Sequence, residues 1–331
     1  MRVLFAGSPG IAVPCLEALA LTGAVEIAGV LTNPDAKRGR RGEREATEVG
    51  AAAEKLSARL QEQGRPPIPV LKPIKLDGEA REAAAALQPD LLVSFAYGHI
   101  FGPKFLGLFP RGGINIHPSL LPKYRGPAPI PAAIINRDGE TGITIQVLAA
   151  EMDSGDILAQ SSFPLTGRET TGSLSEIAAR KAAEMLPEVL KNIAADGGGP
   201  LKGRPQNHGA ASFCSLLSKE DGRIDWKKSA LEIDARIRAF DPWPLSYTMQ
   251  GDRLLYVNEA APAPCTSVLG APIEAKTAPG AVLGIDKGQG ILIQTGDGVL
   301  AVRRLQYQTK KELEWRVFLN GARDFIGSML E

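Results

Sequence analysis

Short runs rich in Val, Ile and Leu alternate with helical stretches along the first 195 residues of the sequence. The strand-like runs 2–6 and 25–32 are separated by a helical stretch in which Ala12, Cys15 and Leu16 share a face. Strands that alternate with helices in this way form a mostly parallel sheet with helices on both faces. We therefore predict an α/β fold with a Rossmann-like, open, mostly parallel sheet.

The alternation continues and then stops at a Gly-rich stretch, 194–200. The further strands of this alternation are predicted at 68–71, 90–96, 113–117, 143–148 and 156–163, and its further helices at 50–63, 79–87 and 174–193. Because 331 residues exceed the size of most single cores, we expect about two domains. We predict a first domain over 1–195, a linker over 196–206 and a second domain over 207–331.

The second domain has a different pattern. It contains a helical stretch at 230–240, a closing helical stretch near 311–326, and short strand-like runs with Gly-rich turns at 253–258, 280–285, 290–295 and 299–305. Several short strands joined by such turns are typical of a small β-barrel, and the OB-fold is one candidate.

Composition and charge exclude several classes of protein. Lys and Arg number 38 against 37 Asp and Glu, so no whole-chain field attracts a polyanion. Three cysteines without C-x-x-C spacing disfavour both a disulfide framework and a zinc site, and they fit a reducing compartment. No uninterrupted run of 18 apolar residues occurs. We expect a soluble, monomeric, cytoplasmic protein that needs no metal.

Common catalytic motifs are missing from the sequence. The turn at 7–10 (GSPG) lacks the G-x-G-x-x-G pattern, and the strand-like run after it ends without an acidic residue for a ribose. Neither a P-loop, nor G-x-S-x-G, nor H-E-x-x-H is present. Dinucleotide, kinase, esterase and zincin chemistry therefore lose their support.

The most informative strand carries Asn115 and His117. The two residues are separated by one position on a strand that ends at Pro118, so their side chains leave the same face at the edge where open α/β sheets bind ligands. An amide can donate to a developing oxyanion, and an imidazole can move a proton near neutral pH. The pair suits acyl transfer, although a lone His more often caps a loop.

An acidic third member would complete such a site. Asp153 follows the strand-like run 143–148 and could orient the imidazole of His117. The alternative is a plain Asp-Ser-Gly-Asp turn over 153–156. Spacing alone does not choose between the two.

Beyond these residues, the sequence resembles the 10-formyltetrahydrofolate-dependent formyltransferases over nearly its whole length. The motifs that carry the resemblance in the first domain are 4–9 (LFAGSP), 95–98 (FAYG), 115–126 (NIHPSLLPKYRG), 141–144 (TGIT) and 152–157 (MDSGDI). Those in the second domain are 223–226 (RIDW), 237–244 (IRAFDPWP) and 295–298 (TGDG). The second set resembles the family members with a C-terminal extension, which include the formyltransferases of initiator methionyl-tRNA. Aminosugar formyltransferases share much of this extension.

The resemblance implies a reaction and the residues that perform it. The formyl group of 10-formyltetrahydrofolate would pass to the α-amino group of methionine on initiator methionyl-tRNA, giving N-formylmethionyl-tRNA for translation initiation, without a metal. Asn115 would bind the formyl oxygen, and His117 and Asp153 would manage the protons. The implied folate-binding residues are Phe95, Ala96, Tyr97, Gly98, Ser119, Leu120, Leu121 and Pro122.

A basic loop follows the second predicted strand. Its cations are Lys37, Arg38, Arg40, Arg41 and Arg44, opposed by two glutamates. A charge run is usually a solvated surface, but this one resembles the insertion with which tRNA formylases grip the acceptor stem. Residues 205–331, in contrast, contain 15 basic and 15 acidic side chains, so the second domain has no net charge to attract RNA.

Three other functions stay open at this point. An aminosugar formyltransferase would use the same three side chains with a different acceptor, and a formyltetrahydrofolate hydrolase would use water. A non-enzymatic RNA-binding protein would depend on the basic loop and the barrel alone.

Overall fold

A computed structural model describes residues 1–21, 23, 25–37, 42–264, 267–268, 271–272 and 277–331 of the chain. These residues form two compact units. The first comprises Met1–Pro129, Glu140–Pro164 and Ser175–Ser215, and the second comprises Ile130–Gly139, Leu165–Leu174 and Leu216–Glu331. In this division residues 196–215 group with the first unit, whereas residues 130–139 and 165–174 group with the second.

The helices and strands up to residue 195 follow the predicted alternation. They are β1 Arg2–Ala6, α1 Val13–Leu21, β2 Glu26–Leu31, β3 Ala36–Lys37, β4 Arg44–Glu45, α2 Glu48–Glu62, β5 Val70–Leu71, α3 Gly78–Ala86, β6 Leu91–Ser94, α4 Pro103–Leu106, β7 Gly113–His117, α5 Pro129–Ile135, β8 Glu140–Val147, β9 Ile157–Pro164 and α6 Thr171–Ala195. The short helices α4 and α5 and the two-residue strands β3 and β4 were not predicted.

Within the described residues, the main sheet of the first unit has the strand order β5-β2-β1-β6-β7-β8-β9. Strands β5, β2, β1, β6 and β7 are parallel, whereas β8 and β9 are antiparallel to their neighbours. Strand β1, an interior strand of this sheet, has four fully buried residues in a row, as expected for a strand covered on both faces. The predicted mostly parallel sheet is therefore confirmed.

Helix α2 shows how local sequence sets an element of this unit. Thr47 lies just before the helix, and its side chain accepts a hydrogen bond from the backbone N–H of Gly50, which caps the helix. Val49, Ala53 and Leu56 follow at helical spacing and are buried. Because β1, β6 and β7 are parallel, their carboxyl ends lie at one edge of the sheet, which is where ligands bind in open α/β sheets.

The second unit is built on antiparallel strands. Its elements from residue 216 are α7 Ala230–Ala239, β10 Ser246–Gln250, β11 Arg253–Ala263, β12 Ser267–Val268, β13 Ala271–Pro272, β14 Val282–Asp286, β15 Gly290–Gln294, β16 Val299–Tyr307, β17 Leu313–Glu314 and α8 Trp315–Gly321. Strands β10, β11, β16, β15 and β14 are neighbours in that order, and β17 pairs with β16. The predicted C-terminal domain of antiparallel strands is confirmed. The closing helix is shorter than predicted, because residues 313–314 join the sheet.

The last residues of the chain link the two edges of this sheet. Met249 of β10 exchanges two backbone hydrogen bonds with Glu331, both at 3.0 Å. On the other edge, the N–H of Val282 in β14 donates to the carbonyl of Ser328, and the N–H of Leu330 donates to the carbonyl of Gly280, each at 2.9 Å. The sheet is thereby closed into a ring, as the prediction of a small barrel requires.

No helix in the described part of the chain has both the length and the apolarity needed to span a bilayer.

The closing segment offers a direct test of the ring. Leu330 is 2% exposed in the core of the second unit, whereas its neighbour Met329 is 48% exposed. We expect Leu330→Ala to lower the free energy of unfolding by about 2–4 kcal/mol, because it leaves a cavity, and Met329→Ala to change it by less than about 0.5 kcal/mol. Urea unfolding checks both variants. Equal effects of the two substitutions would contradict a packed closing segment.

Candidate active site

Strand β7 presents two polar side chains at its carboxyl end. Ile114 and Ile116 are buried against one face of the sheet, so Asn115 and His117 project from the opposite face. The amide of Asn115 is half-buried, and the imidazole of His117 is almost fully buried. A buried imidazole at a strand edge needs polar partners.

The third predicted catalytic residue lies next to these two. Strand β8 runs antiparallel to β7, and the loop after β8 returns Asp153 to the same edge. Asp153 Oδ2 lies 3.6 Å from His117 Nδ1, and Asn115 Nδ2 donates to Asp153 Oδ1 at 3.4 Å. Asp153 adopts a φ of 53°, which Asp tolerates better than most residues. The structure thus brings together all three predicted catalytic side chains.

The hydrogen bonds of His117 define its protonation. Its Nε2 lies 2.8 Å from the carbonyl oxygen of Tyr124, which can only accept, so Nε2 carries the proton. Burial lowers the pKa of His117 below its usual 6.5, and this effect exceeds the opposing influence of the Asp153 charge and the Tyr124 carbonyl. At neutral pH the ring is neutral, and the free lone pair on Nδ1 faces the carboxylate.

Backbone geometry also holds the carboxylate of Asp153. The N–H of Gly126 donates to Asp153 Oδ2 at 2.8 Å. Gly126 has a φ of +118°, and a Cβ there would lie 2.2 Å from the carbonyl oxygen of Cys214. Only glycine can occupy this position without moving the chain around the carboxylate.

Sequence reasoning missed a group of polar residues behind the carboxylate. Gln146 Nε2 donates to Asp153 Oδ1 at 2.9 Å, and the side chains of Gln206 and Arg125 continue the hydrogen bonds away from it. The sequence contains one indication that Gln146 has a polar partner, since it is a polar residue inside the apolar strand 143–147. It contains none for Gln206, because that residue lies in the stretch predicted to be a linker.

The predicted folate-binding residues lie on two loops of the same unit. Ala96 and Gly98 are exposed with φ of 52° and 90°, whereas the ring of Tyr97 is buried in the core and its hydroxyl has no hydrogen-bond partner within the described residues. Ser119 Oγ donates to the carbonyl of Lys123 at 2.6 Å. Of the others, Phe95 and Leu121 are buried, and Leu120 and Pro122 are partly exposed.

The predicted tRNA-binding loop is described in part. Lys37 in β3 pairs with Arg44 in β4, and both are exposed. The other three arginines of the prediction, Arg38, Arg40 and Arg41, lie outside the described residues.

The assembled side chains can perform acyl transfer to a nucleophile. Asn115 supplies an N–H donor for an oxygen that becomes negative, His117 Nδ1 can take a proton, and the carboxylate of Asp153 stabilises the resulting imidazolium. Among the described residues, no group of three or more His, Cys, Asp or Glu is placed to hold a metal ion.

Comparison with known proteins identifies relatives of the whole chain. Residues 1–190 match the formyl transferase family, and residues 216–323 match the formyl transferase C-terminal domain. A methionyl-tRNA formyltransferase of Treponema denticola is 48% identical over 98% of both chains. Proteins of the same name from Treponema pallidum and Roseiflexus castenholzii are 44% and 41% identical and cover at least 95% of both chains.

Solved structures of lower identity share the fold. The N-formyltransferase of Helicobacter canadensis, in complex with folinic acid and dTDP-3-aminofucose, is 18% identical with a TM-score of 0.61, over 91% of this chain and 99% of that chain. HypX of Aquifex aeolicus, in complex with tetrahydrofolic acid, is 19% identical with a TM-score of 0.61, over 98% of this chain and 48% of that chain.

The buried imidazole makes stability depend on pH. The pKa of His117 is lower in the folded than in the unfolded state, so the unfolded chain binds more protons once the pH falls below about 6.5. Stability is therefore lost as the pH falls from 6.5 towards the folded-state pKa. We expect His117→Gln to show a smaller loss than the wild type between pH 7.5 and 5 in urea unfolding. His99→Gln, at an exposed histidine, is the control, and an equal loss in the wild type and in His117→Gln would contradict the assignment.

Proposed function

This chain belongs to the family of methionyl-tRNA formyltransferases, and from that membership we propose that it formylates initiator methionyl-tRNA with 10-formyltetrahydrofolate as the donor. The product is N-formylmethionyl-tRNA, with which translation begins. The observation that carries the proposal is the contact of an amide, a buried imidazole and a carboxylate at the end of β7. We further propose that the protein acts in the cytoplasm as a monomer.

Asn115 stabilises the transition state through its side-chain amide. When the α-amino nitrogen attacks the formyl carbon, the formyl oxygen becomes negative and the carbon becomes tetrahedral. The Nδ2 of Asn115 donates to that oxygen more strongly as its charge grows. The bond from Nδ2 to Asp153 is long, at 3.4 Å, so this donor is readily redirected to the substrate.

His117 and Asp153 move and balance the protons. The Nδ1 of His117 takes the proton that the attacking amine releases, because Nε2 is already protonated against the Tyr124 carbonyl. The carboxylate of Asp153, 3.6 Å away, stabilises the imidazolium. As the bond between the formyl carbon and N10 of the folate breaks, the same proton passes to N10, and the neutral imidazole returns.

The folate is proposed to bind along the loops 95–98 and 119–122. Ala96 and Gly98 are exposed after β6, and their left-handed backbone leaves amide groups accessible to the pterin edge. The buried ring of Tyr97 anchors this loop on the core instead of contacting the ligand. The loop 119–122 begins two residues after His117, which brings the donor close to the reacting groups.

The acceptor is assigned by the relatives rather than by the chemistry. An aminosugar or water would react at the same three side chains. Eight relatives at 36–48% identity, over at least 95% of both chains, are named methionyl-tRNA formyltransferases, which favours the tRNA acceptor. The assembled catalytic residues argue against a protein that only binds RNA.

The reacting side chains can be tested by substitution. We expect Asn115→Ala and His117→Ala each to lower kcat for formylation by ~100-fold or more, because each removes a group that acts in the transition state. Asn136→Ala, at an exposed amide, is the matched control and should keep wild-type turnover. Circular dichroism checks the fold of each variant. Near-normal turnover in Asn115→Ala would remove the oxyanion role from this residue.

The basic loop can be tested by its response to salt. Arg38, Arg40 and Arg41 are proposed to contact tRNA phosphates, so replacing all three by Ala should raise KM for the charged tRNA and leave KM for the folate unchanged. Each lost phosphate contact lowers the slope of log affinity against log salt by about 0.7–0.9, so the slope should fall by roughly two to three.

A matched control removes the same charge elsewhere. Arg59, Arg65 and Lys75 are exposed cations of the first unit, and their triple Ala variant should keep the wild-type slope. Equal slopes in the loop variant and the wild type would mean that the loop is a solvated surface.

A further inference from the structure

Arg125 is a buried cation close to the catalytic carboxylate. It is 4% exposed, and its guanidinium contacts an amide oxygen and an imidazole nitrogen. Nη2 donates to Gln206 Oε1 at 2.7 Å and lies 3.1 Å from His208 Nδ1. A buried arginine is costly unless its hydrogen bonds are satisfied, so these contacts must be maintained.

The arginine determines which way the amide of Gln206 faces. A guanidinium can only donate, and two of its N–H groups, Nε at 3.2 Å and Nη2 at 2.7 Å, converge on Gln206 Oε1. The Nε2 of Gln206 must therefore point the other way. Its two hydrogens are shared among three acceptors, the Gly155 carbonyl at 2.7 Å, the Asp153 carbonyl at 2.9 Å and, at the longest distance, Gln146 Oε1 at 3.2 Å.

The orientation of the second amide follows from that of the first. Because Gln206 Nε2 donates to Gln146 Oε1, the Nε2 of Gln146 faces Asp153 and donates to Oδ1 at 2.9 Å. Gln146 and Gln206 are 1% and 5% exposed, so water does not compete for these groups. A flipped Gln146 would turn its oxygen toward the carboxylate and repel it.

We propose that Arg125 orients Gln206 and Gln206 orients Gln146, and that this amide relay keeps an N–H donor on the carboxylate of Asp153. Any effect of the relay on catalysis rests on the proposed function. Gln206 and Gln146 are positioning residues, because neither touches a reacting atom. Arg125 suits the first position of the relay, since its guanidinium cannot accept a hydrogen bond.

Other titratable groups also face this carboxylate and its relay. His117 lies on β7 at 3.6 Å from Asp153. The thiol of Cys214, whose pKa is raised mainly by burial and further by the charge of Asp153, faces it from the segment after the 3-10 turn His208–Ala210. His208 contacts Arg125 at the outer end of the relay. An experiment on the relay must therefore follow the titration of one assigned group, the imidazole of His117.

The pKa of His117 reports the charge on Asp153 without requiring activity. The chain has three histidines, so their ring proton signals can be assigned in a proton NMR titration by single substitutions. Gln206→Met removes the oriented amide, and Gln146→Met removes the donor on Asp153 while leaving Gln206 on Arg125. Both variants should raise the pKa of His117 by about half a unit, because the bare carboxylate attracts the proton more strongly.

A double variant and a matched control separate the relay from general loosening. In the Gln146→Met background, Gln206→Met should add no further shift, because its effect runs through Gln146. Gln250 of the second unit is also a buried glutamine whose oxygen accepts from an arginine, Arg253, at 3.0 Å. Gln250→Met should lower Tm and leave the titration of His117 unchanged.

The outcomes distinguish the relay from the proposed function. An unmoved His117 titration in Gln146→Met, or additive shifts in the double variant, overturns the relay. If Gln206→Met does not fold, an unmoved His117 titration in Gln146→Met still overturns the relay. With formylation assays in parallel, the acidic limb of the kcat profile should move upward with the NMR shift. A wild type that does not formylate charged tRNA overturns the proposed function, while the titration still tests the relay.

Discussion

The antiparallel register between β7 and β8 is the constraint on which the site depends. Asn115 lies opposite Gln146, and His117 lies opposite Thr144. Strand β8 ends at Val147, opposite Ile114, and the loop after it turns back along the two strands, so that Asp153 reaches Asn115 and His117. A slip of one residue would turn Asn115 and His117 to the other face of the sheet and separate them from the carboxylate.

Burial and hydrogen bonding work against each other in this site. Removal from water disfavours the charged imidazole of His117. Gly126 and Gln146 donate hydrogen bonds to the carboxylate of Asp153 that faces this ring. The result is a pair held ready for a proton, in surroundings where few water dipoles must reorganise when the charge moves.

A segment distant in sequence completes the first unit. Arg204 exchanges two backbone hydrogen bonds with Ile157, at 2.8 and 2.9 Å, and Cys214 donates its N–H to the carbonyl of Arg125 at 2.8 Å. Between these contacts Gln206 reaches the carboxylate loop. The stretch predicted to be a linker over 196–206 thus carries part of the wall behind the site, which its composition, rich in Gly and Pro, did not indicate.

Local patterns in the sequence determined the elements, and long-range pairing determined the site. The strand predicted over 113–117 has the same bounds as β7. Spacing likewise placed Asn115 and His117 on one face. Only the tertiary structure decided whether Asp153 is a turn residue or a partner of His117. It also placed Gln146, Gln206 and Arg125 behind the carboxylate. These contacts join positions 7 to 81 residues apart, and their geometry is set by how strands and loops pack rather than by any periodicity.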